Sequence, residues 1–186
     1  MNDANIYIIV GGSGSGKTTL VENLLKSDLE LSKIITHTTR VPRSSEINGK
    51  DYIFITEPEF KELIAKDELI EYSNAYGNWY GTAKKDFNSS KNSKIIILDS
   101  QGAINIKKFY PHVYIIYIPT AKEVLHQRLV HRGDTKDFAE RIALIDQEVL
   151  KLDKIDKYIV KNNDFCKIFE EVYEYIKKSK KNVDII

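Results

Sequence analysis

A single cysteine, Cys166, in 186 residues excludes an internal disulfide, and it stands outside any metal-ligand spacing. The four histidines, His37, His112, His126 and His131, form no nucleophilic or metal-binding constellation. Net charge is also missing. With 28 basic against 27 acidic residues the chain carries only +1, so no overall field draws it to nucleic acid or to an anionic membrane. Any anion site must therefore be built locally. No apolar run is long enough to span a bilayer, and Met1 to Asn5 lacks the basic stretch of a secretory leader. A reducing cytoplasm is the simplest compartment, with no nucleic acid or membrane as partner. Repeats and low-complexity segments are absent too. At this length, with 42% hydrophobic residues, the chain can bury one core with a small insertion, but not a second full domain.

What is present begins at Gly11. Gly11-Gly12-Ser13-Gly14-Ser15-Gly16-Lys17-Thr18 is a complete G-x-x-x-x-G-K-[ST] pattern. It follows the apolar run Ile6 to Val10 and precedes the amphipathic stretch Thr19 to Lys26. Strand, glycine loop and helix in that order make a phosphate cradle, in which backbone N–H groups curve round the anion and the helix N-terminus faces it. Lys17 would reach the β and γ phosphates, and the Thr18 hydroxyl would ligate magnesium. The loop implies a nucleoside triphosphate but leaves the phosphoryl acceptor open.

Apolar strands at Ile6 to Val10, Lys33 to His37, Lys94 to Leu98, Val113 to Ile118 and Lys157 to Val160 alternate with helical patterns. That alternation predicts a three-layer α/β unit on a mainly parallel sheet, with ligands at the carboxyl ends of the strands. Residues 36 to 89 break the rhythm. Asp51 to Ile55 and Leu69 to Tyr72 read as strands, and Gly77-Asn78 as a hairpin turn before Trp79-Tyr80. Between them Thr56-Glu57-Pro58-Glu59 reads as a capped helix start. This segment is expected to be a small β-rich insertion placed over the sheet, able to close on a second substrate. The lysine-rich Lys177 to Lys181 reads as a frayed helix end.

The second site is open to two readings at each position. Arg40 and Arg43, with the Tyr52 and Tyr80 hydroxyls, make either a phosphate clamp or surface ion pairs with Glu46, Asp51 or Glu59. By simple strand alternation Glu71 faces water. As a buried carboxylate it would instead accept from N1 and N2 of guanine, with Thr36 and Thr82 on the rest of the base edge. Asp99 follows a buried strand, which suits it to magnesium or to the acceptor, yet it also suits capping of the helix that starts near Ser100. Arg128 and Arg132 share one face of the helix predicted over Ala121 to Arg132, where they already complement its dipole.

Taken together, Gly11 to Thr19, Thr38 to Arg43, Glu46 to Tyr52, Ile70-Glu71-Tyr72, Gly77 to Thr82 and Gln101-Gly102-Ala103 resemble the guanylate kinase family, in its order and over nearly the whole chain. The resemblance implies a P-loop kinase moving the γ-phosphate of ATP to GMP or dGMP with Mg2+. It implies a core (1–35 and 90–186), a GMP-binding insertion (36–89) and a helical lid (128–141), in a monomer or homodimer. Carried over by position, Gly11 to Thr19, Arg128 and Asn162 contact ATP. Thr36, Arg40, Arg43, Tyr52, Glu71, Tyr80, Thr82 and Asp99 contact GMP. Lys17, Arg40, Arg132 and Arg141 are the catalytic cations, and Thr18 and Asp99 the metal ligands.

The chain departs from that pattern at three places. Ile97 stands where the family carries an acidic residue, on the same strand face as Asp99. The link from Arg132 to Arg141 is short, and Tyr158 to Asp164 leaves the adenine contact at Asn162 ambiguous by one position. A kinase for another small phosphate acceptor and a catalytically weakened binding module are the alternatives. The intact Gly16-Lys17-Thr18 speaks against the module.

Overall fold

The computed structural model describes residues 5–12, 14–75, 77–87, 92–110, 113–119, 158–161 and 164–181. Its central strand is β1 (Ile6–Val10), which pairs in parallel with β7 (Lys94–Ile97) on one side and β8 (Tyr114–Tyr117) on the other. Beyond these lie β2 (Ser32–Lys33) and β9 (Tyr158–Ile159), giving a five-stranded all-parallel sheet in the order β2-β7-β1-β8-β9. Parallel strands covered on both faces need continuous apolar runs, and β1 supplies one. Tyr7 and Ile9 pack toward α1 (Lys17–Leu25) and α5 (Phe165–Lys181), through Leu20, Val21 and Leu24 and through Ile168, Val172 and Ile176. Ile8 and Val10 face the opposite layer, formed by Phe87 of α3 (Lys84–Phe87) with Ala103 and Ile106 of α4 (Ser100–Phe109). The three-layer α/β expectation holds.

A separate four-stranded sheet, ordered β4-β3-β6-β5, is built from β3 (His37–Thr38), β4 (Ile53–Phe54), β5 (Leu69–Ala75) and β6 (Asn78–Ala83). Only β3 and β4 run parallel; β6 is antiparallel to both β3 and β5. The turn between β5 and β6 carries Gly77 at φ 72, as the Gly-Asn signal predicts. α2 (Glu57–Ala65) starts at a complete capping box, with the Thr56 side chain on the Glu59 N–H and the Glu59 carboxylate on the Thr56 N–H. Phe60 of this helix is fully buried and stacks on Trp79.

Two expectations need correcting. The strand expected over Lys33 to His37 is two strands in different sheets. Just after β2 the Ile34 N–H still bonds the Ile95 carbonyl and the Ile34 side chain is buried in the core; the chain then crosses over, and β3 begins at His37 in the second sheet. An apolar run records burial but not which sheet does the burying. The lysine-rich tail is not frayed: Ser179 is buried, its hydroxyl lies 2.8 Å from the Tyr7 hydroxyl, and the Lys180 ammonium donates to the Leu29 carbonyl. Those tertiary bonds, invisible in local composition, hold the last turns to the core. The helix expected over Ala121 to Arg132 and the lid at 128–141 lie outside the described residues.

Candidate active site

The glycine loop leaves the carboxyl end of β1 and ends at Gly16, whose φ of 93° makes it the left-handed N-cap of α1. Gly11 is needed for space: a Cβ there would lie 2.7 Å from the Ile118 carbonyl and 2.9 Å from Ser15 Oγ. That Ser15 hydroxyl is buried without a hydrogen-bond partner, an orphan polar group inside the loop of the kind an anion satisfies. Lys17 folds back over the loop, its ammonium donating to the carbonyls of Gly11 (2.5 Å) and Gly12 (2.9 Å). Thr18 and Thr19 stay exposed, on the wall of a cleft of about 720 Å³.

Across that cleft stand Thr36, Arg43 and Tyr52, with Ile97 also lining it. Arg40 grips Glu46 through two bonds of 2.7 and 2.9 Å and lies over the Tyr52 ring, 5.5 Å from its centroid. Arg43 approaches the same carboxylate at 3.5 Å, and its backbone N–H donates to it at 2.7 Å. The ion-pair reading of these arginines is thus realised with Glu46. Asp51 instead accepts from the Ile47 N–H, and Glu59 caps α2. Burial opposes the Arg40 charge, but the hydrogen bond and charge of Glu46 outweigh it and hold the guanidinium above its usual range. For Glu46 burial is likewise outweighed, by the Arg40 hydrogen bond first, so its carboxyl sits below its usual value. Tyr52 packs edge-on against Tyr80 at 6.1 Å, and burial pushes its phenol up to about 12. It remains a neutral donor beside the two arginines.

Behind this clamp the second sheet buries polar side chains. Thr36, Thr38, Glu71, Ser73 and Thr82 are all at most 8% exposed. Glu71 does not face water as alternation suggests. It lies between β6 and α4, accepting from the Thr82 hydroxyl at 2.6 Å, and its Oε2 would be 2.9 Å from a Cβ on Gly102. Burial, with the neighbouring Asp99 charge adding to it, raises its pKa to about 7 against the pull of the Thr82 hydroxyl.

Asp99 is the N-cap of α4: one oxygen accepts from the Gly102 N–H at 2.7 Å and the other from the Ser73 hydroxyl at 2.5 Å. Its capping reading is therefore realised, next to Glu71. Trp79, adjacent to Tyr80 in sequence, packs on Phe60 and Tyr72. The period of two in a strand puts it on the face opposite Tyr80.

Ser13, Arg128, Arg132, Arg141 and Asn162 lie outside the described residues. Sequence reasoning missed Ser73 and Gly102 as parts of the pocket. The period of two placed Ser73 on the same strand face as Glu71, which was the available signal.

Among the described residues no group of three or more His, Cys, Asp or Glu could hold a metal, and no helix is long and apolar enough to cross a membrane. Magnesium bound through substrate phosphates keeps most of its waters and needs only one or two protein oxygens. The exposed Thr18 hydroxyl beside the loop fits that requirement.

A glycine loop at the carboxyl end of a parallel sheet, facing a second arginine-lined pocket across one cleft, defines a P-loop nucleotide-binding α/β protein with a built acceptor side. The profile of the family described as guanylate kinase matches residues 3–179. Guanylate kinases of Dechloromonas aromatica (33% identical over 94% of this chain and 89% of theirs) and Haemophilus influenzae (34%, covering 99% and 92%) are similar throughout. A crystal structure of guanylate kinase from Anaplasma phagocytophilum superposes with a TM-score of 0.78 at 25% identity, covering 95% of this chain and 86% of that one. The chain belongs to the guanylate kinase family.

Proposed function

We propose that the protein transfers the γ-phosphate of ATP directly to GMP, and to dGMP, giving ADP and the guanosine diphosphate. The observation that carries this reading is the single cleft that joins Thr18, next to the phosphate loop, to Thr36, Arg43 and Tyr52, in front of a buried carboxylate with guanine-complementary chemistry. ATP lies with its phosphates in Gly11 to Gly16, where the orphan Ser15 hydroxyl finds an acceptor and Lys17 turns from its own loop to the β and γ oxygens. Thr18, and Asp99 if it leaves one of its present partners, would hold Mg2+. The ion supplies neutralising charge on the donor phosphates. Ile97 brings no oxygen ligand to that wall, so Thr18 and Asp99 would be the protein groups available to the ion.

On the acceptor side, the GMP phosphate takes the place now held by Glu46 between Arg40 and Arg43, with the Tyr52 and Tyr80 hydroxyls donating to it. Glu71 accepts from the guanine N1–H and N2–H, and Thr36 and Thr82 complete the base edge. Adenine lacks the N1 proton, leaving the carboxylate unpaired at a cost of several kcal/mol. A phosphate acceptor is largely dianionic at neutral pH, so no side chain has to remove a proton. The work left to the protein is positioning and charge neutralisation. Lys17 and Arg40 do this from the described residues. Arg132 and Arg141 would join them when a lid at 128–141 closes, with Arg128 and Asn162 on the adenosine side. The insertion at 36–89 moves as the acceptor-binding unit against the core of 1–35 and 90–186. A coupled assay of ADP release from ATP tests the reading: GMP-dependent turnover supports it, and ATP turnover indifferent to GMP contradicts it.

A further inference from the structure

The cleft holds a lysine that the mechanism above does not use. Lys33 ends β2, at the carboxyl edge of the core sheet, and lines the same cleft as Thr18, Arg43 and Tyr52. It is half-buried, and its ammonium donates at 2.8 Å to the carbonyl of Lys50, on the loop that carries Arg43 and Tyr52. An ammonium has three donors to place. Among the described residues no other protein group takes a hydrogen bond from Lys33, and no carboxylate pairs with it. Other lysines are better provided for. Lys61, Lys66 and Lys84 sit 2.6 to 2.8 Å from Glu57, Glu62 and Asp67, and the buried Lys94 donates to two carbonyls, of Asp86 and Phe87, at the end of α3. Lys33 has one carbonyl and an open cleft.

The charges of the acceptor clamp indicate what would complete it. Two guanidiniums, of Arg40 and Arg43, stand against the carboxylate of Glu46, which leaves the three groups together with a single positive charge. A nucleoside monophosphate brings nearly two negative charges at neutral pH. Glu22 and Asp51, the carboxylates whose charges act on Lys33, line the same cleft and deepen the deficit. We propose that Lys33 is a further phosphate-binding residue of the acceptor site: its ammonium turns from the Lys50 carbonyl to the phosphate of the bound nucleoside monophosphate and supplies the positive charge that the clamp lacks.

The loop keeps that ammonium on the acceptor side. The Gly49 N–H donates to the Tyr52 carbonyl at 2.8 Å, the Lys50 and Asp51 N–H groups donate to the Ile47 carbonyl, and the Ile47 N–H donates to the Asp51 carboxylate at 2.8 Å. Asp51 is thereby committed to its own loop. In the empty site burial pulls the Lys33 pKa below its usual value, and Asp51 and Glu22 oppose that only in part. An anion entering the cleft relieves this, through a charge-assisted hydrogen bond stronger than the one to a neutral carbonyl.

This inference rests on the GMP kinase reading for the identity of the nucleotide but not for the phosphate contact. Titration calorimetry with GMP and with ATP on the wild type, Lys33→Met, Lys33→Gln and Lys33→Arg tests it. GMP affinity should fall about tenfold in Lys33→Met and in Lys33→Gln, which keeps an N–H for the Lys50 carbonyl but no charge. In Lys33→Arg it should stay within about threefold, and ATP affinity should stay within about twofold throughout. Unchanged GMP affinity in Lys33→Met overturns the proposal. So does a Lys33→Gln that binds GMP like the wild type, because the bond to Lys50 is then the whole role, and so does an equal loss of ATP affinity.

If the uncharged variants do not fold, the ¹⁵N signal of the Lys33 ammonium in the wild type, assigned with Lys33→Arg, decides. It should shift when GMP is added, and a signal indifferent to bound GMP overturns the proposal. A wild type that binds AMP, CMP or UMP but not GMP contradicts the GMP kinase reading instead, and the same four-protein comparison on that nucleotide then decides the role of Lys33. Binding of no monophosphate at all overturns both.

Discussion

In the five-stranded sheet the side chains removed from water are mostly apolar, Tyr7, Ile8, Ile9, Val10, Ile95, Ile96, Ile115 and Ile116 with Lys94 the charged exception at the start of β7, whereas in and beside the four-stranded sheet they include Thr36, Thr38, Glu71, Ser73 and Thr82. The first set stabilises the fold simply by being buried, and it fixes the strand ends from which the glycine loop departs. The second set costs free energy to bury unless every polar atom finds a partner. Partners reach between elements: the Thr82 hydroxyl to Glu71, the Ser73 hydroxyl to Asp99 and the Thr38 hydroxyl to the Trp79 carbonyl. A platform that holds a constant group, the triphosphate, can be hydrophobic and rigid. A pocket that must recognise one base has to keep polar groups dry and poised, and it gives up stability to do so.

This contrast can be broken from the donor side first. Lys17→Ala removes the loop's cation without touching the second sheet, so turnover should fall about 10³-fold while GMP affinity stays within a few-fold. Rapid-quench transfer and equilibrium binding on the same preparation separate the two effects. A parallel loss of GMP binding would show that the lysine holds both halves together.

From the acceptor side, Glu71→Gln tests what the buried carboxylate costs. Its pKa is raised from 4.5 to about 7 in the folded chain, so its contribution to stability is fully present below the unfolded value and is lost as pH rises to about 7. The unliganded wild type should lose up to about 3 kcal/mol on this account between pH 5 and pH 8, and Glu71→Gln should not. Urea denaturation at the two pH values measures it. Equal pH dependence in both proteins would mean that Glu71 stays solvated.

A smaller and purely local effect comes from Thr56→Ala, which removes the side-chain half of the α2 capping box and leaves the backbone N–H of residue 56 on the Glu59 carboxylate. It should lower stability by about 1 kcal/mol and leave ATP affinity unchanged, since α2 packs on the face of the second sheet away from Glu71. Chemical denaturation and ATP titration check the two parts.

The same contrast explains what was legible in the residues alone. The loop from Gly11 to Thr18, the Thr56 cap and the Gly77 turn are encoded within a few positions, and each has the form its local chemistry requires. The buried runs of the core sheet were equally plain, because parallel strands covered on both faces are apolar throughout. The crossover after Ile34 was not, since a continuous apolar run reads the same whether one sheet or two bury it. Nor was the burial of Glu71. Alternation assigns a face, but the pairing of β5 with β6 shifts register between Leu69 and Glu71, and α4 closes over Glu71 at the bare Cα of Gly102. The docking of Ser179 on Tyr7 and the tether of Asp99 by Ser73 join residues 172 and 26 positions apart, a range that no local pattern carries.

Acceptor selectivity with ATP as donor tests the central claim most directly: ADP release measured side by side with GMP, dGMP, AMP, UMP and CMP. A pocket built round an ionised Glu71 predicts turnover of GMP and dGMP and a kcat/KM for AMP lower by about 10⁴-fold. AMP turned over as well as GMP would contradict it.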